Sequence, residues 1–296
     1  MRQDPFGRRQ PAQRRGGVNP RFFIIVLFAL YGAYYWFSNR VADPITGETV
    51  LIDQSIGIED EKAMGLQAYT EILQQERPLP DDSREAQAVI AIAKRLIARV
   101  DEVEAALAAE NGMQAQHLSR GFEWDVKVIP SDQANAFCLP GGKMAVYTGL
   151  FPVAQNEDAL AVVMGHEIAH ALLRHGAQRM SQQKLGQLGE MAGAMSGMDP
   201  QQQQMMRAAM GYGYLLPYAR KHETEADEVG LMLAAAACYD PREAVPLWER
   251  MGQASGGQAP PEFASTHPNP GTRIANLQAL LPKAQAFYDK YCGGAR

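Results

Sequence analysis

The sequence predicts an α+β fold that is mainly helical, with one small β-sheet and a separate apolar helix near the N-terminal end. Three observations carry this. After residue 60, apolar residues recur at helical spacing, as in Val89, Ile90, Ile92, Leu96, Ile97, Val100 and Val103. Residues 122–129 (FEWDVKVI) alternate apolar and polar as a strand does, and residues 135–151 (NAFCLPGGKMAVYTGLF) read as two short strands joined at Pro140-Gly141-Gly142. Ahead of all of this, residues 22–38 (FFIIVLFALYGAYYWFS) carry no charge.

That uncharged run is at the short end of what crosses a hydrocarbon layer of about 30 Å. Arg21 and Arg40 bracket it, and Tyr34, Tyr35 and Trp36 sit where an interfacial aromatic belt belongs. A cleaved signal peptide would end in small residues, and this run ends in bulky aromatics. A buried core helix would not adjoin so polar and basic a tail. The expectation is an uncleaved single-pass signal anchor in an inner membrane, in contact with its lipid. Residues 1–21 would stay cytoplasmic, residues 39–59 would be a linker, and residues 60–296 would form one periplasmic or otherwise extracytoplasmic domain.

Within that domain, residues 61–75 and 83–109 read as helices separated by ERPLPDD, with Ser83 as an N-cap. From Glu157 a helical pattern continues through HEIAHALLRHGAQRM. Residues 186–218 are rich in Gly, Met and Gln, which suggests a mobile connection or a loosely packed helical hairpin, or a lid over a cleft. Residues 223–236, 241–252 (with Pro241 opening the helix) and 272–291 complete the helices, and GQASGGQAPPEF is a loop.

Six of the 28 Lys and Arg precede the apolar run against one of the 33 acids, so the rest carries 22 bases and 32 acids. An acidic body argues against a nucleic-acid partner, because phosphate binding needs a basic face. Cys138, Cys238 and Cys292 show no CxxC spacing and read as isolated thiols, although one pair could oxidise outside the cytoplasm.

The chemistry concentrates in HEIAH. On a helix His166 and His170 project from one face, the spacing at which two imidazoles take two corners of a zinc tetrahedron. Glu167 is rotated beside the metal, where a general base belongs. The apolar flanks, Leu160, Val162, Val163, Ile168, Leu172 and Leu173 among them, bury this helix, and buried histidines cost several kcal/mol without a partner. His175, His222, His267 and the downstream acids are candidates for the third ligand. KHETEAD places Glu223 and Asp227 on one helical face, so Glu223 is read as the ligand and Asp227 as acceptor of a ligand's ring N–H. Glu225 and Glu228 read as solvated charges. His175 falls about two and a half turns beyond His166, opposite the metal face of a continuous helix.

Four segments, NAFCLPGGKMAVYTGL, HEIAHALLRHGAQR, YARKHETEAD and STHPNPGTRI, together resemble the zinc peptidases that include the CAAX prenyl protease, the heat-shock membrane protease HtpX and the mitochondrial Oma-type protease. The likeness covers about residues 60–285. It implies a gluzincin-type domain with an edge strand over the active-site helix and one Zn2+ on His166, His170 and Glu223. Glu167 would be the base, and Asp227 and Arg273 would lie behind the ligands. It further implies substrate-backbone contacts at Asn135, Ala136, Gly142, Lys143, Ala145 and Tyr147, and His267 as an oxyanion donor. Cys138 and His222 depart from the expected pattern without touching this chemistry, and the single anchor sets the chain apart from multi-span members. The function implied is endopeptidase cleavage of envelope or membrane-associated, misfolded polypeptides. The rival reading is a tethered chaperone-like or assembly factor whose zinc serves binding. Glu167 speaks against it, because a structural site needs no base. A different metal-dependent hydrolase is more distant.

Overall fold

The apolar run winds into helix α1 (Pro20–Ser38). The structure, a computed structural model, describes residues 20–254 and 272–293. One flank of α1 is pinned at its C-terminal end: the Tyr35 hydroxyl donates to Asp53 (3.3 Å), whose carboxylate also takes Lys184 (2.5 Å). The other flank leaves Phe22, Phe23, Leu27, Leu30, Tyr34 and Phe37 more than half exposed. No helix among the described residues is long and apolar enough to cross a membrane.

The expected linker holds a hairpin of two three-residue strands, β1 (Arg40–Ala42) and β2 (Thr49–Leu51). Asp43 closes it by accepting the Ile45 and Thr46 N–H groups at 2.9 and 2.8 Å. Strands this short show no alternation that a sequence reading can detect. Helices α2 (Ile58–Gln75), α3 (Arg84–Ile97) and α4 (Val100–Glu110) follow, so the single helix expected over 83–109 is split in two. Ser83 caps α3 as expected, accepting from the Ala86 N–H at 3.2 Å.

Strands β3 (Asp125–Ile129), β4 (Ala136–Leu139) and β5 (Lys143–Tyr147) form a sheet in the order β3-β5-β4, with β5 parallel to β3 and antiparallel to β4. The β4–β5 turn is closed by a Gly142 N–H to Leu139 carbonyl bond of 3.2 Å. Gly141 and Gly142 sit at φ +83° and +82°, a region other residues enter only under strain. This topology corrects one expectation. Residues 143–147 are the central strand with both edges paired, and β4 is the edge beside the site.

After a short helix α5 (Phe151–Ala154), helix α6 (Glu157–Leu172) runs through the core with every residue from Ala159 to Leu172 buried. Asn156 caps it, accepting from the Ala159 N–H at 2.8 Å. The expected continuation through His175 does not occur. Arg174 adopts φ +53°, held by ion pairing with buried Glu61, and a new helix α7 (His175–Met195) starts there. The Met- and Gln-rich segment is a helical hairpin of α7 and α8 (Pro200–Met210), and a π-helical stretch (Gly211–Leu215) leads into α9 (Leu216–Ala236). Helices α10 (Ala244–Ala254) and α11 (Arg273–Cys292) complete the described chain.

Helix α9 crosses α6 at a glycine pair. A Cβ on Gly165 would lie 2.6 Å from the Gly230 carbonyl oxygen, and one on Gly230 would lie 2.5 Å from the His166 nitrogen. Only hydrogen at both positions lets the backbones approach this far, which brings α9 within reach of the α6 histidines. Cys238 and Cys292 are joined in a disulfide that ties the end of α9 to the end of α11, correcting the reading as isolated thiols. Partners 54 positions apart carry no local spacing signal. Cys138 is free and buried.

Candidate metal centre

His166 and His170 rise from α6, and Glu223 reaches them from α9. Their facing atoms are close: His166 Nε2 to His170 Nε2 is 3.0 Å, His166 Nε2 to Glu223 Oε2 is 3.4 Å, and His170 Nε2 to Glu223 Oε1 is 3.6 Å. Two ligands each about 2.0–2.2 Å from a tetrahedral ion lie roughly 3.3–3.6 Å apart, so the triad fits a metal. Charge agrees with geometry. Three buried carboxylates (Glu167, Glu223 and Asp227) face one buried guanidinium (Arg273), a deficit that one divalent cation closes.

Each histidine has a partner behind it. His166 Nδ1 lies 2.9 Å from Asp227 Oδ1, which leaves Nε2 to point at the other two ligands. Burial works to lower the His166 pKa, but hydrogen bonds to Asp227 and Glu223 outweigh it and raise it to about 9. Arg273 donates to Asp227 (2.5 Å) and to Glu223 (3.2 Å), and its guanidinium stacks 3.4 Å from the centre of the Trp248 ring. The same arginine thus holds a ligand and the partner of a ligand.

Behind His170 the arrangement was not legible in the sequence. His170 Nδ1 is 2.7 Å from His175 Nδ1, and His175 Nε2 is 3.3 Å from Glu225 Oε2. Burial holds the His175 pKa at about 3, so the ring is neutral and accepts from His170 while donating to Glu225. His222 stacks on His175 at 4.2 Å between ring centres and bonds Gln178 at 3.0 Å. His222 therefore does touch the site indirectly, and Glu225 is largely buried, not solvated. The break at Arg174 causes both corrections, because it folds His175 back beneath His170. Trp248 gave no sequence signal.

A cleft of about 260 Å³ runs between α6 and β4, lined by Asn135, Ala136, Cys138, Glu167, His170 and Arg174 among others. Asn135 and Ala136 thus line the same cleft as Glu167 and His170. Lys143, Ala145 and Tyr147 are buried in the central strand, the last two in a cluster with Tyr69, and Gly142 sits in the turn against Trp124. Their backbones have no open edge for a peptide. The Tyr147 N–H donates to the Asn135 carbonyl at 3.0 Å, so antiparallel alternation turns the Ala136 and Cys138 backbone groups outward. His267 lies outside the described residues.

The family model for peptidase family M48 matches residues 93–281. The mitochondrial metalloendopeptidase OMA1 of Schizosaccharomyces pombe is 36% identical over 259 residues, which is 86% of this chain and 70% of that protein. The mitochondrial metalloendopeptidase OMA1 of Homo sapiens is 37% identical over 174 residues, 55% of this chain and 33% of that protein. The β-barrel assembly-enhancing protease of Escherichia coli (strain K12) is 31% identical over 163 residues, 51% of this chain and 33% of that protein. The chain therefore spans most of the fission-yeast protein and about a third of the other two. The family-model match takes in the helices that bring His166, His170 and Glu223 together, and the chain belongs to peptidase family M48, among its metalloendopeptidases.

Proposed function

We propose that the chain is a membrane-anchored, zinc-dependent endopeptidase that cleaves extended segments of envelope or membrane-associated polypeptides. The observation that carries this reading is the convergence of two α6 histidines and the α9 glutamate beside Glu167 and an open strand edge. His166, His170 and Glu223 would hold the ion. When bound, zinc supplies a Lewis acid for the peptide carbonyl and lowers the pKa of water towards about 7. Glu167 takes the proton of the attacking water and returns it to the leaving amine nitrogen. Asp227 keeps the His166 Nε2 free of a proton, and Arg273 fixes Asp227 and Glu223 in place.

An extended substrate adds to the β4 edge through the outward backbone groups of Ala136 and Cys138, displacing the Asn135 Oδ1 that accepts the Ala136 N–H at 2.9 Å, so affinity comes from main-chain hydrogen bonds with little demand on sequence. His267 is proposed as the oxyanion donor on the strength of the family resemblance alone. The anchor reading rests on the exposed apolar face of α1 and the Arg-rich tail before it. An envelope substrate is in keeping with the likeness to the β-barrel assembly-enhancing protease of Escherichia coli.

The test uses purified full-length protein and an unfolded substrate such as casein. Chelation should abolish cleavage and added Zn2+ should restore it, while His166→Ala stays inactive with zinc present. Cleavage that survives chelation, or an active His166→Ala, refutes the assignment.

A further inference from the structure

More than a hundred residues before Glu223, a second group of side chains of metal-ligating type converges. Asp101 and Glu104 lie three residues apart on one face of α4, and His117 comes from the segment that follows it. One nitrogen of His117 and one oxygen from each acid lie within 4.8 Å of one another.

Asp101 Oδ2 accepts from Arg120 Nε at 2.8 Å, and its Oδ1 faces His117 Nδ1 at 3.4 Å and accepts from the Ser119 hydroxyl at 3.5 Å. Glu104 Oε1 accepts the His117 backbone N–H at 2.6 Å, which aims Oε2 at the ring. Glu104 is 3% exposed, and its Oε2 and the His117 Nδ1 are buried without a hydrogen-bond partner among the described residues. They stand 3.8 Å apart.

An ion pair alone does not account for this spacing. A protonated imidazole between two carboxylates would close to the roughly 2.7–2.9 Å of a charge-assisted bond. The 3.4 Å separation is that of two ligands sharing a tetrahedral ion, and the 3.8 Å separation lies just beyond it, a gap that a small side-chain movement closes.

We propose that Asp101, Glu104 and His117 form a second zinc site, separate from the catalytic centre, that clamps the segment after α4 to the helix. One imidazole with two monodentate carboxylates suits zinc, whereas calcium and magnesium prefer all-oxygen shells. Part of Asp101 reaches solvent, so water can complete the coordination.

The experiment is calorimetric titration of metal-free full-length protein with zinc chloride, supported by elemental analysis. Wild type should bind two equivalents. Glu104→Gln, which keeps the acceptor for the His117 N–H, and His117→Ala should each bind one, and both should retain peptidase activity. His166→Ala should lose activity and still bind one equivalent at the second site. Magnesium chloride should give no second equivalent. If Glu104→Gln proves unfolded, Asp101→Asn replaces it with the same expectation. A wild type that binds a single equivalent, or a Glu104→Gln that binds two, overturns the proposal. A wild type with one equivalent that His166→Ala abolishes would leave the catalytic reading intact and remove only this site.

Discussion

His166 divides its ring between two tasks, Nδ1 towards Asp227 and Nε2 towards the other ligands, and Asp227 decides which nitrogen carries the proton. Asp227→Asn keeps the shape and removes the charge. It should weaken zinc affinity about 10–100-fold, read by competition with a chromogenic chelator. His175 plays the equivalent part for His170, and His175→Ala should cost a similar factor, with an altered visible spectrum in the cobalt-substituted protein. An unchanged affinity in both variants would reduce these partners to packing. The two candidate histidine ligands were legible because four-residue spacing is a local property of one helix. Asp227 was legible for the same reason. His175 was not, because the reversal at Arg174 places a non-glycine residue at φ +53°, and Glu61, more than a hundred positions away, stabilises it.

Among elements, the α6–α9 crossing governs whether the site exists. Gly230→Ala would place a methyl group 2.5 Å from the His166 backbone nitrogen, so the helices must separate. Overpacking of this kind costs about 1–3 kcal/mol, and it should also weaken zinc binding because Glu223 is carried away with α9. Chemical denaturation and a zinc titration on the same variant check both parts; a normal affinity would show that the close approach does not set ligand geometry. Likewise, the disulfide closes a separation of 54 residues, for which chain entropy predicts roughly 4 kcal/mol lost on Cys238→Ser with Cys292→Ser. Denaturation of the double variant measures it. The β4–β5 hairpin was readable from Pro140-Gly141-Gly142, whereas the strand order was not. Local alternation says that a strand forms and is silent about which neighbours flank it, so it does not distinguish a central strand from an edge.

For the molecule as a whole, the candidate metal ligands sit on helices inside the core, and the β4 edge proposed to bind peptide lines the cleft beside them. The hydrophobic burial of α6 holds the histidines in place, and the disulfide, the glycine crossing and Arg273 fix the second helix against it. Helix α1 stands apart, docked on α7 by one flank and apolar and exposed on the other. Flotation of the full-length protein with vesicles of neutral lipid should carry it upward, and deletion of residues 1–38 should leave it in the soluble fraction with peptidase activity intact. Soluble behaviour of the full-length chain would exclude the anchor.

The central claim is that Glu167 moves the proton at a metal held by His166, His170 and Glu223. It is tested most directly by the peptidase rate of Glu167→Gln measured alongside its zinc content. The account predicts zinc retained at wild-type occupancy and a rate lower by about 10²–10⁴-fold. Full zinc occupancy with an undiminished rate would contradict it.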